Sequence, residues 1–173
     1  RAMEAVPRHL FVPEKLSAEA YLDRPLPIGH GQTISQPYIV AWMTELLAPV
    51  AGCTVLEIGA GSGYQAAVLA EMGATVISIE RIGVVAELAR SNLHRAGYDG
   101  VTVILADGTI GWRENSPYSR ILITAGAPKI PSPLMDQLEI GGWLIAPVGP
   151  AYVQEIVRLT RAPSGYQEEH LGG

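Results

Sequence analysis

From residue 54 onward, short apolar runs rich in β-branched residues alternate with longer stretches of helical period. No other feature restricts the fold as much. "TVLEIG" (54 to 59), "TVISIE" (75 to 80), "VTVILAD" (101 to 107) and "RILITAG" (120 to 126) read as buried strands. Between the first three lie "SGYQAAVLAEMG", closed by Gly73, and "GVVAELARSNLHRAG", in which Val84, Val85, Leu88 and Leu93 recur near helical spacing before Gly97. Strands separated by helix-length crossovers pair in parallel and need helices on both faces. "SPLMDQL" is expected to form a short helix with Pro133 in its first turn, and "GGWLIAPVG" (141 to 149) a fifth strand. "VQEIVRLTR" follows with no room for a helix, so it should pair antiparallel. Upstream, "SQPYIVAWMTELLAP" puts Ile39, Val40, Met43, Leu46 and Leu47 on one helical face and stops at Pro49. The expected fold is α/β: a doubly wound, mostly parallel, Rossmann-like sheet with an N-terminal helical and loop extension. At 173 residues the chain suits one domain, with 1–50 as the extension and 51–173 as the core.

Ligands of such sheets bind beyond the carboxyl ends of the strands. Three successive strands here carry an acid at that end: Glu57 in "LEIGAGSG", Glu80 in "SIER" and Asp107 in "LADG". Glu57 opens a loop with Gly59, Gly61 and Gly63, where missing side chains let a ligand approach the backbone at a helix start. The spacing is G-x-G-x-G, and Tyr64 stands where a dinucleotide fingerprint needs a small residue, which disfavours an NAD-dependent oxidoreductase. No lysine or arginine lies between Glu57 and Ala70, so a pyrophosphate or triphosphate has no cationic partner. Adenosylmethionine fits better, because it carries ribose and adenine without phosphate, and its positive charges favour an acidic site. Glu80, about 20 residues past the first glycine, can accept from the ribose hydroxyls, and Asp107 from the adenine amino group.

Composition removes other classes. Hydrophobic residues are 48% and charged residues 17%, a globular balance. No apolar run approaches the roughly 18 residues of a membrane span, so no membrane partner is expected. With a net charge of -5 and only Lys15 and Lys129 as lysines, nucleic acid is not an expected partner. The four histidines and Cys53 show no metal-ligand spacing, so no metal is expected. One thiol and the polar, proline-broken opening "RAMEAVPRHLFVP", which has no signal-peptide character, point to the cytoplasm.

"VPRHLFVP", "DRPLPIGHGQTISQPYIVAWMTELL", "VLEIGAGSGYQAAVLA", "IERI", "ADGTIGW", "ITAGAPKIP" and "QLEIGGWLIAPVG" together resemble the protein-L-isoaspartate O-methyltransferase family through nearly the whole chain. "PLPIGHGQTIS" and "GSGYQAAVLA" are the specific stretches. The resemblance implies the methyltransferase type of sheet. It also implies a repair enzyme that methylates, from S-adenosyl-L-methionine, the free α-carboxylate of L-isoaspartyl residues in damaged proteins and peptides, releasing S-adenosyl-L-homocysteine. Ser35 matches the family's catalytic serine, and Gln32, Thr33 and Ile34 match positions at the donor site, which the resemblance extends to Arg81 and Gly108. Val6, Pro7, Ile130 and Pro131 match walls of a peptide groove. From the residues alone, Ser35 also fits a cap on the helix that follows, and Val6, Pro7, Ile130 and Pro131 fit loop packing. Ala60, Ala106 and Gly126 depart from the usual family residues by small changes expected to be tolerated. Family chains continue past "EEHLGG" into a closing strand, so the C-terminus reads as incomplete.

Two further readings share the fold: a small-molecule methyltransferase and a non-enzymatic nucleotide-binding module.

Overall fold

The computed structural model describes residues 1–150 and 153–173. Its main sheet has seven strands. They are β3 (Thr54–Ile58), β4 (Thr75–Glu80), β5 (Thr102–Leu105), β6 (Tyr118–Ile123), β7 (Leu138–Val148), β8 (Glu155–Ala162) and β9 (Gly165–His170). Their spatial order is β5-β4-β3-β6-β7-β8-β9. β5 to β7 run parallel; β8 and β9 return antiparallel. A separate two-stranded hairpin, β1 (Leu26–Gly29) with β2 (Gln32–Ile34), precedes the sheet.

The apolar runs are continuous because both faces of the sheet are covered. Successive residues of β3, β4, β6 and β7 point to opposite sides. Val55, Val76, Leu122 and Ile145 pack into one cluster, with Met43 and Leu47 from α2 (Pro37–Leu47) and Ala66 and Leu69 from α3 (Tyr64–Glu71). Leu56, Ile77, Ile121 and Leu144 pack into another, with Leu134 from α5 (Ser132–Asp136). α3 shows no amphipathic stripe because six of its eight residues are buried. Its outer side is roofed by the N-terminal extension, which begins with the short α1 (Ala2–Ala5) and whose Val6, Phe11 and Ile34 join Tyr64 and Val68 in a third cluster.

On α4 (Gly83–Arg95) the buried stripe is Val85, Ala86, Ala89, Asn92 and Leu93. Val84, expected on that face, is 54% exposed, because helical spacing turns it away from the side that carries Val85, Ala86, Ala89 and Leu93. The fifth strand starts at Leu138 rather than 141, and β8 spans Glu155–Ala162, antiparallel as expected. The hairpin and β9 had no counterpart in the reading of the sequence.

The chain visits β3, β4 and β5 outward in one direction, then returns to place β6 on the other side of β3. The crevice between the carboxyl ends of β3 and β6 is the switch point where such sheets bind ligands.

Candidate active site

A cleft of about 530 Å³ opens at that switch point, a size that suits a nucleoside-bearing ligand. Its floor is the glycine loop after β3, from Gly59 to Ser62. Glu80 at the end of β4 with Arg81 after it, Asp107 to Thr109 after β5 and Thr124 to Ala127 after β6 form its sides. Gln32, Thr33, Ile34 and Ser35 close it from the hairpin, and Pro131 from the loop before α5.

The glycine loop is held from both neighbouring strands. Gly59 has φ +102°, and a Cβ there would lie 2.5 Å from Thr124 Oγ1. Only glycine permits both that turn and that contact. Thr124 Oγ1 sits 2.6 Å from the Gly59 carbonyl oxygen and 2.9 Å from that of Ile58, tying the end of β6 to the loop across the switch point. From the other side, Glu80 Oε2 accepts from the Gly61 N–H at 3.1 Å, and its Oε1 accepts from the Ile82 N–H at 3.0 Å. Glu80 is 7% exposed, and each carboxylate oxygen keeps a second acceptor site. Such a fixed, dehydrated pair of acceptors suits a vicinal diol.

Asp107 is exposed. Its Oδ1 accepts from the Thr109 N–H at 2.9 Å and the Thr109 hydroxyl at 2.8 Å, bonds that hold its pKa below the usual value, with Arg81 adding a smaller effect. Its second oxygen has no hydrogen-bond donor among the described residues. Ile58 Cγ2 would lie 2.5 Å from a Cβ at Gly108, so a ligand there meets backbone. Together these groups fit an adenosyl moiety: a Cβ-free cradle, a buried carboxylate at ribose reach and an exposed one beyond it.

Two residues assigned to the donor site do not line the cleft. Glu57 alternates inward on β3 and pairs in register with Ser78, whose hydroxyl donates to Glu57 Oε2, while Oε1 is buried with no partner among the described residues. Burial, opposed by the Ser78 bond and reinforced by Glu80, pushes its pKa to about 8, so it is largely protonated at neutral pH. Gly63 is the N-cap of α3 at φ +88°, and a Cβ there would press on Leu93, so it serves helix packing. Among the groove candidates, Val6 is 1% exposed in the core, Ile130 packs against the cluster around Leu134, and neither Pro7 nor Ile130 reaches the cleft. Only Pro131 of that set lines it.

Ser35 lines the cleft and does not cap α2. The N-cap is Gln36, without a side-chain bond, and Asp23 Oδ1 accepts from the Tyr38 N–H at 2.8 Å. The Ser35 hydroxyl makes no hydrogen bond among the described residues, while its carbonyl accepts from Arg8 Nη2 at 2.7 Å. The hairpin places it: Gly29, His30 and Gly31 all take positive φ, so "GHG" is the turn that folds Gln32–Ser35 back over the cleft. The exposed His30 has φ +53° at that tip, and it does not line the cleft. Tyr64, Thr124, Asp23 and Arg8 were not anticipated, since nothing in local spacing marks a side chain that acts from another element.

A doubly wound sheet with this cradle at its switch point defines an adenosylmethionine-dependent methyltransferase. The family model for protein-L-isoaspartate(D-aspartate) O-methyltransferase matches residues 1–171, and the chain belongs to that family. It is 59% identical over 172 residues to the protein-L-isoaspartate O-methyltransferase of Methanospirillum hungatei, covering 99% of this chain and 80% of that one. The enzyme of the same name from Methanoculleus marisnigri is 55% identical, with 99% and 78% covered. A Plasmodium falciparum protein-L-isoaspartate O-methyltransferase, crystallised with S-adenosyl-L-homocysteine, superposes with a TM-score of 0.86 at 26% identity, covering 99% of this chain and 84% of that one.

Proposed function

We infer that the chain methylates the free α-carboxylate of L-isoaspartyl residues in damaged proteins and peptides, with S-adenosyl-L-methionine held in the cleft and Ser35 at its acceptor end. The observation that carries this reading is that Ser35, freed from capping by Asp23, lines the same cleft as the glycine loop and Glu80. Bound there, the donor supplies an electrophilic methyl group that a carboxylate takes by displacement, leaving S-adenosyl-L-homocysteine.

The residues of the chain then have three tasks. Glu80 accepts from the ribose hydroxyls, Asp107 from the adenine amino group, and Gln32, Thr33, Ile34, Gly59, Gly61, Arg81 and Gly108 shape the donor's surroundings. Ser35 donates its hydroxyl proton as a hydrogen bond to the acceptor carboxylate and fixes its approach. The hairpin and Pro131 narrow the cleft, removing water from two opposite charges that neutralise as they react. An acceptor carboxyl with a pKa near ~4 is already ionised at neutral pH, so no side chain has to remove a proton. Among the described residues no histidine or cysteine lines the cleft, and no group of three His, Cys, Asp or Glu is gathered to hold a metal.

Substrates of this kind arise in many sequence contexts, which favours recognition of peptide backbone and of the misplaced carboxylate over side chains. Among the described residues no helix is long and apolar enough to cross a membrane. A lone half-buried thiol at Cys53 and a net charge of -5 favour a cytoplasmic setting and protein rather than nucleic-acid partners. The test is methyl incorporation into an isoaspartyl peptide and into the aspartyl peptide of the same sequence. Incorporation into the first alone is expected; equal incorporation, or none into either, contradicts the reading.

A further inference from the structure

Arg8 heads the fully buried side chains by size, at 1% exposure, and among the described residues its hydrogen bonds go to carbonyls and none to a carboxylate. Its Nε donates to the Ala20 carbonyl at 2.7 Å and its Nη2 to the Ser35 carbonyl at 2.7 Å. Nη1 is buried without a partner among the described residues. The guanidinium carbon stands 4.7 Å from the centroid of the Tyr64 ring, and the Tyr64 side chain acts on its charge more strongly than any carboxylate does. Asp23 acts on it only through space and is itself engaged by the Tyr38 N–H.

Arginine does not shed its proton in proteins, so this is a buried cation held by neutral carbonyls and an aromatic face. Burying a charge without a counter-ion is costly, and a guanidinium left with an orphaned N–H is unexplained by packing alone. Both cleft-side neighbours of Arg8, Ser35 and Tyr64, line the cleft, while Arg8 itself does not. It stands one layer behind the wall, at the end where Ser35 sits. Covalent geometry keeps the Ser35 hydroxyl within roughly 7 Å of the guanidinium that binds its carbonyl.

We propose that Arg8 is a positioning residue for methyl transfer: it fixes the Ser35 backbone from behind and supplies, without touching substrate, the positive charge that favours a carboxylate at that end of the cleft. The inference rests on the placement of the acceptor at Ser35. The counter-ion that the folded chain lacks is then the substrate itself. Neutralising the acceptor by methylation removes the attraction, so the same charge that gathers substrate favours release of the ester. The acceptor carboxylate lies a hydrogen bond beyond that hydroxyl, and a unit charge about 8.5 Å from it, at an effective dielectric constant of about 20 to 40, corresponds to about a 5- to 30-fold preference for carboxylate over a neutral isostere.

The experiment measures dissociation constants, with S-adenosyl-L-homocysteine present, for an isoaspartyl peptide and for the same peptide with its α-carboxylate converted to the carboxamide. The wild-type chain is expected to prefer the carboxylate by about 5- to 30-fold. In Arg8→Gln, which keeps an N–H donor for the Ser35 carbonyl, that preference should fall below about threefold, with carboxamide binding unchanged. Peptide KM should rise and kcat should change less. Arg8→Lys, which keeps the charge, should retain the preference to within about threefold. Calorimetry with S-adenosyl-L-homocysteine and thermal melting identify variants that remain folded. A wild-type preference below twofold overturns the proposal, as does an undiminished preference in folded Arg8→Gln. Should Arg8→Gln not fold, the wild-type preference and its retention in Arg8→Lys decide, and loss in a folded, donor-binding Arg8→Lys overturns it. Failure of the underlying placement has a different signature: Ser35→Ala would then leave methyl transfer at the wild-type rate.

Discussion

The Asp23 carboxylate accepts the backbone N–H of Tyr38 at 2.8 Å, capping α2 from a loop that precedes the hairpin. Caps of this kind contribute about 0.5 to 2 kcal/mol. Asp23→Ala should therefore lower unfolding free energy within that range, while Ser35→Ala should leave it nearly unchanged. Urea denaturation of both variants checks this, and a larger loss in Ser35→Ala would return the capping role to Ser35.

Glu80→Ala removes the buried acceptor pair that holds Gly61 and Ile82 and that faces the ribose in the proposed site. Loss of a charge-assisted interaction of about 1.5 to 3 kcal/mol corresponds to a roughly 10- to 150-fold weaker affinity for S-adenosyl-L-homocysteine. Glu80→Gln, which retains one acceptor oxygen, should fall between. Calorimetry measures both, and wild-type affinity in a folded Glu80→Ala would remove Glu80 from the donor site.

Glu57 gives stability a pH dependence of known sign. Its folded pKa of about 8 lies above the ordinary 4.5, so the folded state binds the extra proton between those values. The stabilising contribution is complete below about pH 4.5 and declines as pH rises through about 8, no more steeply than about 1.4 kcal/mol per pH unit. Glu57→Gln, a neutral isostere, should abolish that decline, so its advantage over the wild-type chain should widen from pH 5 to pH 8. Parallel stability curves would show that Glu57 does not titrate in that window.

Two glycines of the cleft should respond oppositely to alanine. At Gly59 a Cβ meets Thr124 Oγ1 and the backbone is left-handed, so Gly59→Ala should cost about 1 to 3 kcal/mol and weaken donor binding. At Gly126 the Cβ meets the terminal amide of Gln154, a flexible end that can swing aside, and Gly126→Ala should change stability by less than about 0.5 kcal/mol. Thermal melting of the two variants separates them.

The sheet was legible because its strands are buried on both faces, which turns β3, β4 and β6 into continuous apolar runs that no surface element imitates. The same burial hid the facing of individual residues. Glu57 reads as a cleft acid at the strand end, but two-residue alternation turns it towards Ser78. Val84 reads as core, yet α4 packs through Val85, Ala86, Ala89 and Leu93. β9 escaped detection because all six residues of "GYQEEH" are exposed on an edge strand and carry no apolar signal. The hairpin escaped because its strands are three and four residues long, and its buried residues Leu26, Ile28 and Ile34 form no run. Of the site, the segments that carry Glu80, Asp107 and Ser35 were marked by local sequence. Arg8 was not, because its importance lies in a contact with Ser35 made across 27 residues of chain.

Single-turnover methylation of an isoaspartyl peptide by Ser35→Ala, beside its affinity for S-adenosyl-L-homocysteine, tests the central claim most directly. If the hydroxyl orients the acceptor carboxylate through one hydrogen bond to a charged group, the transfer rate should fall by about 10- to 100-fold while affinity for the adenosyl ligand stays within twofold to threefold of wild type. A wild-type transfer rate in the folded variant would contradict the placement of the acceptor at Ser35.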